Sequence, residues 1–229
     1  MRIFNDFKEC YSEVGRDLVE MGTIHPSASY QNVGVAGDDN YDMKEIIGYP
    51  FRVAGWRGWR NYFSPEEETW IENELRERMY VGLLNPGHAF NHRYNVWNRF
   101  LNTNGEFDYT YNERIRTQLP GVIKEMKKNP NTRQAIITIY DRGDQKGFGG
   151  RFRIPCSMHY QFLSRGDNLE VIYSMRSCDY FTHFKFDVML AIRLGQVVGV
   201  KIHKPFRALT MFIGSLHCFR KNWEEAKIF

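Results

Sequence analysis

The chain has 229 residues, 42% apolar and 25% charged, with a formal net charge of +4. That balance allows a sizeable core and excludes a disordered chain. The mild positive charge, not gathered into a stripe, suits an anionic small molecule better than direct nucleic-acid binding. No run of about 18 apolar residues occurs, the starting segment MRIFNDFKE has no apolar leader, and Cys10, Cys156, Cys178 and Cys218 share no CxxC spacing. The sequence therefore predicts a reduced cytoplasmic protein, of a bacterial or phage-infected host cytosol, without membrane contact.

In chain order, Ile3, Phe4, Phe7, Tyr11, Val14, Leu18 and Val19 carry helical periodicity that ends near Gly22. Residues 23–44 are polar and Gly/Asp-rich, a long loop of the kind that carries function. Glu45 to Val53 predicts a strand broken at Pro50, and aromatics stand in polar company at Trp56-Arg57-Gly58-Trp59-Arg60. Ser64-Pro65-Glu66-Glu67-Glu68 is a helix start, with a capping hydroxyl, a first-turn proline and acids on the positive end of the dipole. This helix runs to about Met79 and carries Glu72, Glu74 and Glu77. Residues 85–113 are loop-rich, with a short helix over 96–101; a second helix spans 114–127, and a strand spans 134–140. Residues 141–151 form a polar insert whose glycines lack a phosphate-loop framework. The spacing further predicts a helix over 187–194, a strand over 196–202 and another over 208–213. No linker divides the chain, so a single α+β domain over residues 1–229 is expected.

The stretch from Arg153 to Ile192 gathers the chemistry. Strands 157–163 and 169–175 form a hairpin turned at Gly166-Asp167-Asn168. Cys156 precedes it, and Arg176, Ser177, Asp179 and Asp187 follow, so a nucleophile, a cation, a hydroxyl and two carboxylates converge on the hairpin's ends. A cysteine after proline is commonly inert packing, but Arg176 at the far end of the hairpin can favour its thiolate, and Ser157 and Gln161 put polar groups beside it. Arg176-Ser177 offers a donor fork and a hydroxyl to a phosphate or carboxylate. Asp187 alone reads as a helix cap and Glu74 as a solvated acid. Neither Cys156 with His159 nor His88 with His92 has the partners a metal needs, so no metal site is predicted.

Taken together, Pro155-Cys156, Gln161-Phe162, Arg176-Ser177-x-Asp179 and Gly214-x-x-His217-x-Phe219 resemble the signature of the thymidylate synthase superfamily. Glu74-Leu75 resembles its catalytic Glu-Leu, Trp97 and Tyr111 its active-site Trp and Tyr, and Asn129-Pro130-x-x-Arg133 the motif that lends a phosphate-binding Arg to a neighbouring subunit. The resemblance implies a mixed β-sheet flanked by helices and a sheet-to-sheet homodimer. It implies Cys156, Glu74, Asp187, Tyr111 and Asp179 as catalytic residues, and Arg176, Ser177, Arg133, Gln161, His217 and Trp97 as substrate-binding ones. The implied partners are a pyrimidine nucleoside monophosphate and 5,10-methylenetetrahydrofolate.

Departures narrow the expectation. Thymidylate synthases carry Asn where Asp187 stands, and an Asp suits cytosine's ring N3 and exocyclic amine. Met175 before Arg-Ser and Gly-Ser-Leu-His at 214–217 resemble the phage-type deoxycytidylate hydroxymethylases, with CMP hydroxymethylases close by. Ser157 replaces the usual His after Cys, Gln134 a common second Arg, Thr182-His183 the usual Leu-Gly, and Phe219 a sugar-touching Tyr. Lys44 and Arg52 are candidates for an N-terminal phosphate contact. The expected activity is C5 hydroxymethylation of dCMP or CMP through a Cys156–C6 adduct. The alternatives are a cytidylate C5-methyltransferase, a dUMP enzyme of the same fold, and an inactive dimeric nucleotide-binding scaffold. A DNA cytosine methyltransferase is disfavoured by the lack of a glycine-rich cofactor loop.

Overall fold

The structure, a computed structural model, describes residues 1–226 apart from Ala28, Gln31, Asn32, Arg57 and Val81. Asp6 accepts a hydrogen bond from the Glu9 backbone N–H (2.8 Å) and starts α1 (Phe7–Met21). The helix expected from Ile3 therefore begins later, and Arg2–Phe4 form strand β1 instead. The segment expected as a long loop contains β2 (Thr23–His25) and a ribbon of β3 (Ser29–Tyr30) and β4 (Val33–Gly34); Ala28, Gln31 and Asn32 within it lie outside the described residues, as does Arg57. β5 (Met43–Val53) runs unbroken through Pro50, which still faces Phe212 in register.

Ser64 and Glu67 form a reciprocal capping box that opens α2 (Pro65–Met79), as its sequence predicts. The 85–113 region is mostly single turns, among them α3 (Tyr94–Trp97). The expected 114–127 helix is two, α4 (Tyr111–Arg116) and α5 (Leu119–Lys128). Pro120 lacks the N–H needed to continue a helix and instead sits in the first turn of α5. β6 (Ile136–Thr138) is shorter than expected. The hairpin strands β7 (Ser157–Arg165) and β8 (Asn168–Asp179) extend further than predicted.

After β8, a single π-helical turn (Tyr180–Phe184) leads into α6 (Lys185–Ile202). Residues 196–202 are thus helix, not the expected strand. Val197, Val198, Val200 and Ile202 have β propensity, but the apolar face of α6, Val198 included, packs on β8 and β9, and the burial of that face overrides the preference. His203 closes the helix in the left-handed region, its N–H reaching Gly199 and Val200 carbonyls. β9 (Phe206–Phe219) and α7 (Trp223–Ala226) follow.

The main sheet runs β1-β5-β9-β8-β7-β6, with β2 also on β5; β8–β9 and β1–β5 are parallel and the other pairs antiparallel. The α6 crossover is what a parallel β8–β9 pair requires. One face, carrying Phe51, Val171, Tyr173, Leu209 and Met211, is buried, with α1 and α6 packed against the sheet. The other face is half open: Ile136 is 40% and Phe212 47% exposed, beside a two-pronged Arg52–Glu170 ion pair. Among the described residues no helix is long and apolar enough to cross a membrane.

Candidate active site

One cavity of about 460 Å³ opens where α2, the 86–111 segment, the ends of β8 and β9, and the start of α6 meet. Helical spacing puts Trp70, Glu74 and Arg78 on one side of α2, and all three line it. Glu74 Oε1 accepts from Arg78 Nε at 2.8 Å; Arg78 is only 4% exposed and lies 4.2 Å from the Tyr111 ring centre. Parallel register sets Ser177 beside Ser215 and Asp179 beside His217. Gly214 permits the close approach, since a β-carbon there would stand 2.7 Å from the Arg176 carbonyl oxygen.

Cys156 sits at the head of β7, with Arg176 Nη2 3.7 Å from its sulfur. The same guanidinium donates to the Pro155 and Ile154 carbonyls at 2.9 Å, and the Arg176 backbone N–H donates to the Cys156 carbonyl at 2.8 Å. These contacts hold the Pro-Cys loop and bring a positive charge to the thiol. Behind Cys156, the Ser157 hydroxyl is shared between Tyr111 (2.9 Å) and Tyr173, and Tyr173 stacks on Tyr160 with centroids 4.2 Å apart. Ser157 thus connects the cavity to a buried phenol stack. Burial raises the Tyr111 and Tyr173 hydroxyls well above their ordinary range.

Asp187 does not cap a helix. The cap is Asp179, whose Oδ1 accepts from the Phe181 (3.1 Å) and Thr182 (3.3 Å) N–H groups, while its buried Oδ2 has no partner among the described residues. Asp187 lies one turn into α6 and faces the cavity, 3.7 Å from the Cys178 sulfur. Burial pushes its carboxyl up to about 6, against the opposing pull of Arg78 and Arg93. The Arg93 guanidinium lies 4.1 Å from the Phe186 ring centre and 4.9 Å from that of Trp70, donates to the Thr182 carbonyl at 2.8 Å, and leaves Nη1 buried without a partner among the described residues. Arg153, 5% exposed, lies 5.0–5.4 Å from the rings of Trp97, Phe100, Phe107 and Tyr109, and its Nε has no partner among the described residues. His183 packs against Trp97 with its ring tilted by 34° (5.1 Å between centroids); burial, then Arg93 and Arg153, hold its imidazole well below the ordinary range.

The cavity thus gathers Cys156, Glu74, Asp187, Tyr111, Asp179, Arg176, Ser177, His217 and Trp97. Gln161 and Arg133 are not among its lining residues. Gln161 sits on β7 and donates to the Arg133 carbonyl at 2.9 Å, so it is not beside Cys156 as the sequence suggested; Arg133 itself is exposed. Lys44 donates to the Val19 carbonyl and Arg52 is held by Glu170, which leaves neither guess at the cavity. Arg78, Arg93 and Arg153 were missed. Arg78 was legible as the i+4 partner of Glu74, whereas the aromatic sandwiches around Arg93 and Arg153 form only in three dimensions. Among the described residues no group of three or more His, Cys, Asp or Glu is placed to hold a metal.

Residues 80–228 match the profile of the family described as thymidylate synthase. A protein from Baumannia cicadellinicola subsp. Homalodisca coagulata named thymidylate synthase is 22% identical over 157 residues, 64% of this chain. The match spans 58% of that relative's own length.

Proposed function

The chain belongs to the thymidylate synthase family, and from that premise we propose that it transfers a one-carbon unit to C5 of a cytidine monophosphate, leaving a hydroxymethyl group. The observation that carries the cytidylate reading is Asp187, a carboxylate in the same cavity as Cys156, with its acidity lowered by burial to about 6. Its neutral form donates to cytosine N3 and accepts from the exocyclic amine. Its ionised form accepts from that amine and repels the O4 of uracil. A group titrating near 6 also has a proton to place on N3 as a thiolate adds to C6, where negative charge develops.

Cys156 is the nucleophile that adds to C6 and makes C5 nucleophilic. Arg176 and Ser177 receive the phosphate, joined by Arg133 from a second copy paired through the open sheet face. Gln161 then positions Arg133 through its carbonyl rather than touching substrate. His217, braced by Ser215 at 3.3 Å, faces the sugar. Glu74, oriented by Arg78, and Tyr111, tied to Ser157, manage proton transfer. The aromatic wall at Trp97 and Phe107 and the unpartnered Asp179 Oδ2 fit a heteroaromatic ring with a donor edge, as 5,10-methylenetetrahydrofolate has. That donor, when bound, supplies the carbon at the formaldehyde level.

The name carried by the relative favours one second reading, methylation of a uridylate. Incubation with 5-³H-labelled dCMP, CMP and dUMP plus methylenetetrahydrofolate, with mass detection, separates the two. Tritium release from a cytidylate with a hydroxymethyl product is expected. A methyl product or release from dUMP alone would replace this reading, and no release from any would leave a nucleotide-binding scaffold. For the pairing, inactive Arg133→Ala and Cys156→Ala proteins mixed and reassociated are expected to regain activity; no recovery would place the phosphate contact within one chain.

A further inference from the structure

Resting on the hydroxymethyl reading, we propose that His183 is the catalytic residue that receives and orients the water ending as the product hydroxyl. The other basic groups of the cavity already have a contact or a role: Asp187 faces the base and Asp179 Oδ2 the donor ring in the reading above. Glu74 is tied to Arg78, Asp179 Oδ1 caps the π-turn, and His217 Nδ1 lies 3.3 Å from Ser215. His183 lines the cavity, and no hydrogen bond reaches its ring among the described residues. Its position is fixed from three sides: the Asp179 cap sets the π-turn, Arg93 Nη2 holds the Thr182 carbonyl at 2.8 Å, and the ring lies on Trp97.

The electrostatics keep that ring usable. Arg93, Arg153, Arg99 and His217 all act on it and, with burial, keep it neutral, so one nitrogen retains a lone pair for a water O–H. The step balances without a redox partner. The water oxygen bonds to the exocyclic methylene carbon at C5, and the methylene π electrons move through C5 onto the C4–N3 side of the ring. As those electrons return to form C5=C6, the C6–Sγ bond breaks and its pair leaves with the Cys156 thiolate. The water proton passes to His183, and the same cations that keep the ring neutral drive it on to solvent.

The reverse of this step needs no folate, which gives a direct test. In H₂¹⁸O, 5-hydroxymethyl-dCMP or 5-hydroxymethyl-CMP bound to the protein is expected to exchange its hydroxyl oxygen, read by mass. In parallel, slow folate-free tritium loss from the 5-³H cytidylate reports Cys156 addition alone. His183→Leu is expected to lower oxygen exchange about a hundredfold while leaving tritium loss within a few-fold, and His183→Gln, which keeps an acceptor, is expected to recover part of it. Equal ratios of oxygen exchange to tritium loss in wild type and His183→Leu would overturn the role of His183. A wild-type protein that does neither would overturn the hydroxymethyl reading itself. Should His183→Leu lose tritium exchange as well, His183→Gln decides: oxygen exchange at the wild-type ratio there supports the proposal, and oxygen exchange lost together with tritium exchange there overturns it.

Discussion

The two walls of the cavity are built on opposite principles. On the hairpin wall, Cys156, Arg176, Ser177 and Asp179 sit at strand ends, and Arg176 spends its donors on backbone carbonyls of the Pro-Cys loop. On the facing wall, Arg93 and Arg153 are buried among aromatic rings with donor atoms left unsatisfied. Apart from Asp179 Oδ2, the first wall is held by contacts within the chain, whereas the second holds cations in a state that is costly unless something binds. The hairpin wall therefore fits the covalent chemistry, and the aromatic wall fits recognition of a second, electron-rich ring.

The largest effect expected falls on the hairpin wall. Cys156→Ala is expected to lower turnover by roughly four orders of magnitude or more with an unchanged melting temperature; activity surviving above that level would remove the covalent mechanism. Next comes Asp187→Asn, expected to move the kcat/KM preference from cytidylate towards uridylate by about a hundredfold. An unmoved preference would mean that the base is read elsewhere. Acidity gives a smaller effect with a definite sign. Since Asp187 is raised to about 6, it is neutral below that pH and ionised above it. The neutral carboxyl can also donate to uracil O4, so cytidylate selectivity is expected to fall as pH drops through about 6 and to be flat in Asp187→Asn. Its contribution to stability runs the opposite way: the folded chain holds the proton more tightly, so stability declines as pH rises from the ordinary carboxyl range to about 6, then levels off. Denaturation midpoints of both proteins between pH 4 and 8 check this.

The smallest change is expected on the aromatic wall. Arg153→Met is expected to leave the melting temperature unchanged or slightly raised, because an unsatisfied buried cation is exchanged for a side chain of similar length. The KM for the one-carbon donor should rise more than that for the nucleotide. A large loss of stability would make Arg153 a structural member and collapse the contrast between the walls.

The same contrast explains what was legible beforehand. The hairpin, its turn, the α2 cap and the cluster around Cys156 are local in sequence, so propensity and spacing exposed them. Residues 196–202 were misread because β-branched side chains signal strand locally, while their place under the sheet is decided by distant partners. Arg93 and Arg153 are likewise ordinary in sequence and acquire meaning only when residues such as Trp70, Phe186 and Phe107 surround them.

β9 lies between β5 and β8, pairing residues as far apart as Met43 and Phe219. The sheet's middle position is therefore filled by the strand that comes latest in sequence among the described residues. On a ribosome, β1, β5 and the hairpin emerge as two unjoined pieces, each with an unpaired edge, until Phe206–Phe219 arrives to join them. Ser215 and His217 belong to that same strand, so the cavity lacks this part of its lining until β9 has been made. Synthesis itself thus sets the earliest moment of ligand protection, and premature termination upstream of β9 is expected to yield aggregation-prone fragments rather than a weakened protein.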